Sequence, residues 1–155
     1  MVEQAAVRLL ARREHSTDEL ERKLIAKGHP APVVHEVVEK LAGKRLVSDE
    51  RFVASFIEHH ARRGQGPVRI RAELRRHGID PERIEAEFQR SEIDWRQLAM
   101  EVCRRKFGSS RRENLRERAK QARFLQYRGF DADQIRAALS FDPAEDFSSP
   151  NEAEQ

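Results

Sequence analysis

One pattern of apolar residues and glycine occurs three times along the chain. Each copy has an apolar residue, a glycine four positions later, an apolar residue six positions after the glycine and another four positions beyond it. The copies are Leu24, Gly28, Val34 and Val38; Leu74, Gly78, Ile84 and Phe88; and Leu125, Gly129, Ile135 and Leu139. The glycines stand 50 and 51 residues apart, so the pattern predicts an internal repeat.

The spacing within each copy is typical of amphipathic helices joined by a glycine turn. Residues three and four apart share a helix face, and a glycine after a helix supplies its left-handed residue. In the first copy we expect a helix near residues 2 to 14, then one capped by Ser16 with Glu19. A third helix is expected to begin around Pro30 to Pro32 and to be closed by Gly43. No stretch alternates with the period of two that marks strands.

The same reasoning applied to all copies predicts nine helices in three units. The expected units span residues 1–46, 47–91 and 92–141. One such unit buries too little apolar surface to be stable alone. We therefore expect an all-α protein whose three tandem three-helix repeats stack into an elongated, curved array.

The third unit carries its own capping and packing signals. Ser110 with Glu113 predicts a capping box, and Asp131 is expected to cap the last helix. The buried stripe of the middle helix is expected to contain Leu115, Ala119, Ala122 and Leu125.

The distribution of charged residues indicates what kind of partner the protein binds. Charged residues make up 37% of the chain and aromatic ones only 6%, which favours several thin helical layers over one large core. All 30 basic residues but only 22 of the 27 acidic ones lie in residues 1–141, a net charge of +8. Residues 142–155 hold the other five acids and are expected to form a disordered acidic tail. A basic body predicts an anionic partner, either nucleic acid or an acidic protein surface.

The sequence gives no sign of a membrane or an oxidising compartment. No apolar run approaches the roughly 20 residues of a membrane span, and no signal-peptide pattern opens the chain. The single cysteine, Cys103, can form no internal disulfide, which suits a reducing cytoplasm.

No catalytic or metal-binding motif is apparent. Nucleotide-binding loops, nucleophile elbows and zinc spacings are absent from the sequence. His59 and His60 are the only histidine cluster, and we expect helix packing or surface roles for them rather than metal ligation. Cys103 is expected to be buried and inert. We therefore expect neither enzyme activity nor a cofactor.

Arginine clusters are the strongest functional signal. The planar guanidinium group suits bidentate contact with phosphate or carboxylate. The candidate residues for binding a partner or DNA are Arg62, Arg63, Arg69, Arg71, Arg75, Arg76, Arg104, Arg105, Lys106, Arg111, Arg112, Arg116, Arg123 and Arg128. No stacking platform for single-stranded bases is expected, because most aromatic residues lie on core-facing stripes.

An alternative is a direct DNA-binding protein in which the helix from Arg69 to Arg76 enters a major groove. Against this alternative, the segment offers no Asn or Gln for recognising adenine. The chain also shows no dimerising element, so we expect a monomer.

Three stretches together resemble the RecX regulatory proteins. They are "LLARREHSTDELERKLIAKG", "LVSDERFVASFIEHHARRGQGPVRIRAELRRHGI" and "RFLQYRGFDADQIRAAL". The resemblance covers roughly residues 5 to 140 and implies an all-helical fold of tandem three-helix repeats, without catalytic residues.

The resemblance also implies a function and a partner. RecX proteins are bacterial cytoplasmic regulators of recombination, DNA repair and the SOS response that bind the RecA recombinase filament. The resemblance implies that this protein lies in the groove of a RecA–single-stranded-DNA filament. It also implies that the protein hinders filament extension, ATP hydrolysis and strand exchange. Non-specific contact with single- or double-stranded DNA is a further expectation.

Overall fold

A computed structural model describes residues 1–108 and 115–140, and within these ranges the chain forms nine α-helices and no strand. The helices are α1 (Val2–Arg12), α2 (Thr17–Ala26), α3 (Ala31–Gly43), α4 (Asp49–Arg62), α5 (Pro67–Arg76), α6 (Pro81–Arg90), α7 (Trp95–Phe107), α8 (Leu115–Arg128) and α9 (Ala132–Ser140). The expected all-α class is confirmed. The capping box expected at Ser110 and Glu113 and the acidic segment 142–155 lie outside the described residues.

The three repeat glycines end their helices in the same way. Their φ angles are +99° at Gly28, +77° at Gly78 and +100° at Gly129. In each copy the N–H after the glycine donates to the carbonyl of the first apolar residue of the pattern. These bonds are His29 to Leu24 (3.2 Å), Ile79 to Leu74 (3.3 Å) and Phe130 to Leu125 (3.1 Å). This Schellman closure confirms the predicted role of the three glycines.

Side-chain caps fix where α2 and α9 begin. The Glu19 N–H donates to Ser16 Oγ (3.0 Å), while the Glu19 carboxylate accepts two hydrogen bonds from Arg13 (2.8 and 3.0 Å). At α9 both halves of a capping box form. The Gln134 N–H donates to Asp131 Oδ1 (2.8 Å), and the Asp131 N–H donates to Gln134 Oε1 (2.9 Å).

Helix α3 ends at Gly43, as predicted, but the turn that follows differs from the three glycine turns. Its left-handed residue is Arg45, with φ of 60°. The carbonyl of Leu41, the last buried residue of α3, accepts from the Leu46 N–H (2.9 Å). This six-residue closure puts the left-handed position four residues after Leu41, which is Arg45 rather than Gly43.

The chain forms two compact units. Unit 1 comprises Met1–His59 and Arg71–Glu92, and unit 2 comprises His60–Ile70 and the described residues of Ile93–Gln155. In unit 1, α1, α2 and α3 pack against one another. The buried residues of this cluster are Val2, Ala6, Leu9, Leu20, Leu24, Val34, Val38, Leu41 and Val47. The repeat boundaries given above stay a prediction.

In unit 2, α7, α8 and α9 pack around a second cluster. Its buried residues are Ala99, Val102, Cys103, Leu125, Phe130, Ala138 and Leu139. The expected stripe of α8 is wrong at two positions, because Leu115 is 85% exposed and Ala119 is also exposed. The buried neighbour of Leu125 on α8 is Gln121, whose Oε1 accepts from Cys103 Sγ (3.4 Å). Leu115 and Ala119 lie about 80° and 120° around the helix from Leu125, at roughly 100° per residue.

The turn between α4 and α5 docks on the turn between α8 and α9, within unit 2. The Gly66 N–H donates to the Arg128 carbonyl (2.8 Å), and the Val68 N–H donates to the Gly129 carbonyl (2.9 Å). The open carbonyls at the end of α8 thus satisfy N–H groups at the start of α5, so each helix end caps the other. A Cβ atom at Gly66 would overlap the Gly129 carbonyl group.

Candidate partner-binding surfaces

Most of the predicted basic residues are exposed. The exposed ones are Arg62, Arg63, Arg75, Arg76, Arg104, Arg105, Lys106, Arg116 and Arg123. Arg69, Arg71 and Arg128 are half-buried, and Arg111 and Arg112 lie outside the described residues. Several exposed cations occupy the last turn of a helix, including Arg75 and Arg76 in α5. The negative end of the helix dipole favours cations there, so these positions also stabilise the fold.

Two of the half-buried arginines are held within their units. Arg71 donates two hydrogen bonds to the Glu85 carboxylate (2.6 and 3.3 Å), and its guanidinium lies 4.2 Å from the Phe88 ring centroid. In unit 2 the Arg128 guanidinium lies 5.7 Å from the Phe124 ring centroid. Arg71 therefore ties α5 to α6, and Arg128 packs on its own helix.

These contacts count against major-groove insertion by α5. In helix-turn-helix proteins the first residues of the recognition helix face the bases. Here the N–H groups of Gly66 and Val68, at the start of α5, bond to the α8–α9 turn. Arg71, near the middle of the helix, is paired with Glu85.

The outer face of α8 carries an uninterrupted row of exposed side chains. Arg116, Lys120, Arg123 and Tyr127 are all exposed, and they lie four, three and four residues apart. At about 100° per residue they fall within roughly 60° of one another around the helix. We call these four residues the α8 face.

Tyr127 is the residue that the sequence reasoning missed. Its side chain is 77% exposed, and the Arg69 guanidinium lies 5.9 Å from its ring centroid. Tyr127 is therefore an exception to the core-facing stripes on which most aromatic residues were expected. The signal was available, because Tyr127 follows the core residue Leu125 by two positions. Two helical residues subtend about 200°, which puts the ring on the opposite side from the core.

A basic cleft of about 380 Å³ opens in unit 1, between α2 and the end of α5. Its lining residues are Glu19, Arg22, Lys23, Ala26, Arg76 and His77. Arg22 pairs with Asp18 (3.0 Å), and the His77 ring packs edge-on against Phe52 and Phe56, with centroids 5.5 and 5.4 Å away. Of the predicted candidates, only Arg76 lines this cleft. The other two cations of the cleft, Arg22 and Lys23, belong to α2, which is distant from α5 in the sequence.

A buried histidine positions one wall of the cleft. His15 is 1% exposed, and Lys23 Nζ donates to its Nε2 (3.2 Å). Its Nδ1 lies 3.0 Å from the Arg13 carbonyl, so Nδ1 carries the proton that donates there. Burial lowers the pKa of His15 below its ordinary value, which keeps the ring neutral at pH 7 and able to accept from Lys23.

In the part of the chain that the structure describes, no group of three His, Cys, Asp or Glu side chains is placed to hold a metal ion. Cys103 is buried as expected. Over the same residues, every helix is too short or too polar to span a bilayer.

The fold and these surfaces define an all-helical repeat protein with exposed basic faces. Family models for the first, second and third three-helix domains of RecX match residues 4–41, 48–86 and 92–139. The chain therefore belongs to the RecX family.

Curated relatives match nearly the whole chain. A regulatory protein RecX from Halorhodospira halophila is 44% identical over 96% of this chain and 92% of its own length. One from Vibrio cholerae is 48% identical over 88% of this chain and 90% of its own length.

Solved structures share the fold. The crystal structure of RecX from Lactobacillus salivarius superposes with a TM-score of 0.74 at 19% identity, covering 89% of this chain and 92% of that one. A second crystal structure, of a regulatory protein RecX, also gives a TM-score of 0.74, at 21% identity over 90% of this chain and 70% of that one.

Proposed function

We propose that this protein is a non-enzymatic regulator of homologous recombination and DNA repair that binds the RecA–single-stranded-DNA filament. In this proposal it inhibits RecA ATP hydrolysis, filament extension and strand exchange. The observation that carries the proposal is the match over 96% of the chain to a relative named as a regulatory protein RecX. The proposal also includes a bacterial cytoplasmic location, a monomeric state and non-specific contact with DNA.

Repetition and charge support this proposal physically. A recombinase filament presents identical protomers at a regular spacing, and a protein of three similar three-helix domains can contact several of them at once. Such multivalent contact gives high avidity from individually weak contacts. The exposed arginines supply the charge to meet carboxylates or phosphates on the filament.

The direct test is the DNA-dependent ATPase of RecA at protein levels too low to coat the DNA. We expect the steady-state rate to fall at such substoichiometric ratios, because blocking one growing end affects many protomers. The protein alone, with ATP and DNA but without RecA, is expected to release no phosphate. Inhibition that appears only once the DNA is saturated would support plain DNA binding instead.

A charge reversal on α5 tests which surface carries this inhibition. Arg75 and Arg76 are the suitable pair, since Arg69 and Arg71 are half-buried and Arg71 is paired with Glu85. We expect Arg75→Glu with Arg76→Glu to weaken filament binding, and added salt to weaken the binding of the unaltered protein.

The matched control reverses two exposed arginines of α1, Arg8 and Arg12. It makes the same change in net charge on another helix of unit 1. Equal losses from both double variants would mean that net charge, rather than the α5 surface, governs binding. If the folded α5 variant inhibits RecA as well as the unaltered protein does, the filament-binding surface would be assigned to the exposed cations of unit 2.

A further inference from the structure

We propose that the α8 face is a contact site for single-stranded nucleic acid, with one base stacked on Tyr127. This site rests on the non-specific DNA contact included in the proposed function and gives that contact a location on the fold. Its binding needs no RecA, so it can be tested apart from RecA inhibition. Its components are the exposed ring of Tyr127, the Arg69 guanidinium beside that ring and the three cations that follow along the helix, Arg123, Lys120 and Arg116.

The α8 face has the charge of a site for a polyanion. Helix α8 contains five basic residues and a single acid, Glu117. Glu117 Oε1 accepts from the side chain of buried Gln121 (3.3 Å), so this oxygen is engaged on the core side of the helix. From Arg116 to Tyr127 the helix rises by about 16 Å, at 1.5 Å per residue. A strand with one phosphate per roughly 3.4 Å or more of axis would pass several phosphates over that length.

Tyr127 adds what a merely solvated face lacks. An aromatic ring that is 77% exposed costs free energy in water, and here it ends a row of cations. Bases of any sequence stack on such rings, and an arginine beside the ring adds a cation–π contribution. Arg69 comes from α5, and the docking of Val68 on Gly129 carries the start of that helix up to the end of α8.

Charge and ring together favour nucleic acid over an acidic protein surface. Carboxylates would bind the arginines equally well, but a carboxylate does not stack on an exposed aromatic ring. A nucleic-acid strand presents anions and π faces in alternation, which matches cations on one side and a ring at the end. Single strands are favoured over duplex DNA because duplex bases are stacked on one another and unavailable to Tyr127.

The test is the binding of a fluorescently labelled 20-nucleotide poly-dT strand to the full chain, followed by anisotropy. We expect Tyr127→Leu to raise the Kd by about tenfold, as the loss of one stacked base does. Tyr127→Phe should bind within about twofold of the unaltered protein, because the ring is kept. The affinity for a duplex should change little in either variant.

The cations are tested by their salt dependence. Arg123→Gln should lower the slope of log K against log salt by about 0.7, the value for one phosphate contact on a single strand. Arg118→Gln is the matched control, an exposed arginine of α8 about 170° from the centre of the row. It should lower the slope less, and Tyr127→Leu should leave the slope unchanged.

Stacking itself has a direct readout, because Tyr127 is the only tyrosine in the chain. Replacing it with 3-fluorotyrosine gives a single ¹⁹F resonance, which should shift on addition of poly-dT and not on addition of polyglutamate.

Three results would overturn the proposal. One is poly-dT binding by folded Tyr127→Leu at the unaltered Kd. Another is equal slopes for Arg123→Gln and Arg118→Gln. The third is an equal loss of polyglutamate binding in Tyr127→Leu, which would assign the face to an acidic protein. Because RecA is absent from these measurements, their outcome is independent of the ATPase test.

Discussion

At the end of α3 an arginine occupies a backbone conformation that glycine fills in the three repeat turns. Arg45 has φ of 60°, and its carbonyl accepts from Arg51 (2.8 Å), a bond that any side chain at position 45 would preserve. A non-glycine residue in this region costs about 1 kcal/mol. Glycine would relieve this cost but adds conformational entropy to the unfolded chain, which offsets part of the gain. We therefore expect Arg45→Gly to raise the free energy of unfolding by about 0.5 kcal/mol.

Urea denaturation of Arg45→Gly measures this change, with Lys44→Gly as the control. Lys44 has φ of −88°, where glycine brings only its entropy cost, so the control should lower the midpoint. Equal losses in the two variants would show that the left-handed position is unstrained.

His15 makes the stability of unit 1 depend on pH. Burial lowers its pKa in the folded protein, so between its ordinary pKa and the folded value only the unfolded chain takes up the proton. Stability should therefore fall as the pH drops from 7.5 to 5.5. His15→Gln should show a smaller fall than the unaltered protein when urea unfolding is measured at the two pH values. An unchanged pH dependence in His15→Gln would rule out this origin.

At the scale of elements, the docked pair of turns in unit 2 restricts which residues can replace its glycines. A Cβ at Gly129 would overlap Arg69 Cβ and lie 2.8 Å from Arg69 N, and Gly129 also has φ of +100°. Gly28 has nearly the same φ, +99°, but nothing within 4 Å of its Cβ position. We expect Gly28→Ala to cost about 1 kcal/mol of unfolding free energy from backbone strain alone. Gly129→Ala should cost at least about 2 kcal/mol, because overpacking adds to that strain.

Two further alanine variants separate the docking from the turn conformation. Gly66→Ala should destabilise through its overlap with Gly129. Gly43→Ala, at the last residue of α3 and with open space around its Cβ position, should instead raise the free energy of unfolding by about 0.5 kcal/mol. Similar unfolding midpoints for Gly28→Ala and Gly129→Ala would show that the docked turns do not contribute to stability.

At the scale of the whole molecule, opposite charges are segregated along the chain. Residues 142–155 carry five acids and no base, while residues 1–141 have a net charge of +8. We predict that these acids, held at high effective concentration by their covalent attachment, compete with an anionic partner for the exposed arginines. We expect truncation after Phe141 to strengthen poly-dT binding a few-fold at low salt, with the difference vanishing at high salt.

That comparison is made on the same poly-dT strand at low and high ionic strength. A full-length variant with the five acids replaced by their amides separates charge from chain length. It should bind as the truncated protein does. Equal affinities of the unaltered and truncated proteins at every salt concentration would leave the acidic segment without this role.

The helices and the turns of the repeat follow from residues that are close together in the sequence. Leu24, Gly28 and Ser16 specify local events, since a helix face, a Schellman turn and an N-cap each depend on residues within about six positions. Such short-range hydrogen bonds do not depend on what packs nearby, so the pattern predicted the three glycine closures correctly. The pattern also placed the end of α3 at Gly43 correctly. It did not identify Arg45 as the left-handed residue, because that position follows the last buried residue, Leu41.

Packing between helices that are distant in the sequence sets which basic residues are exposed and which side chains lie beside them. Arg71 is tied to Glu85, and Tyr127 meets Arg69, through pairings separated by 14 and 58 positions in the chain. Burial of Gln121 in place of Leu115 depends likewise on the rotation of α8 against α7 and α9. The physical reason is that long-range pairings are set by packing, which many sequences with the same helical period satisfy in different ways. The helical period therefore places the four residues of the α8 face on one side of α8, and the fold alone brings Arg69 to Tyr127.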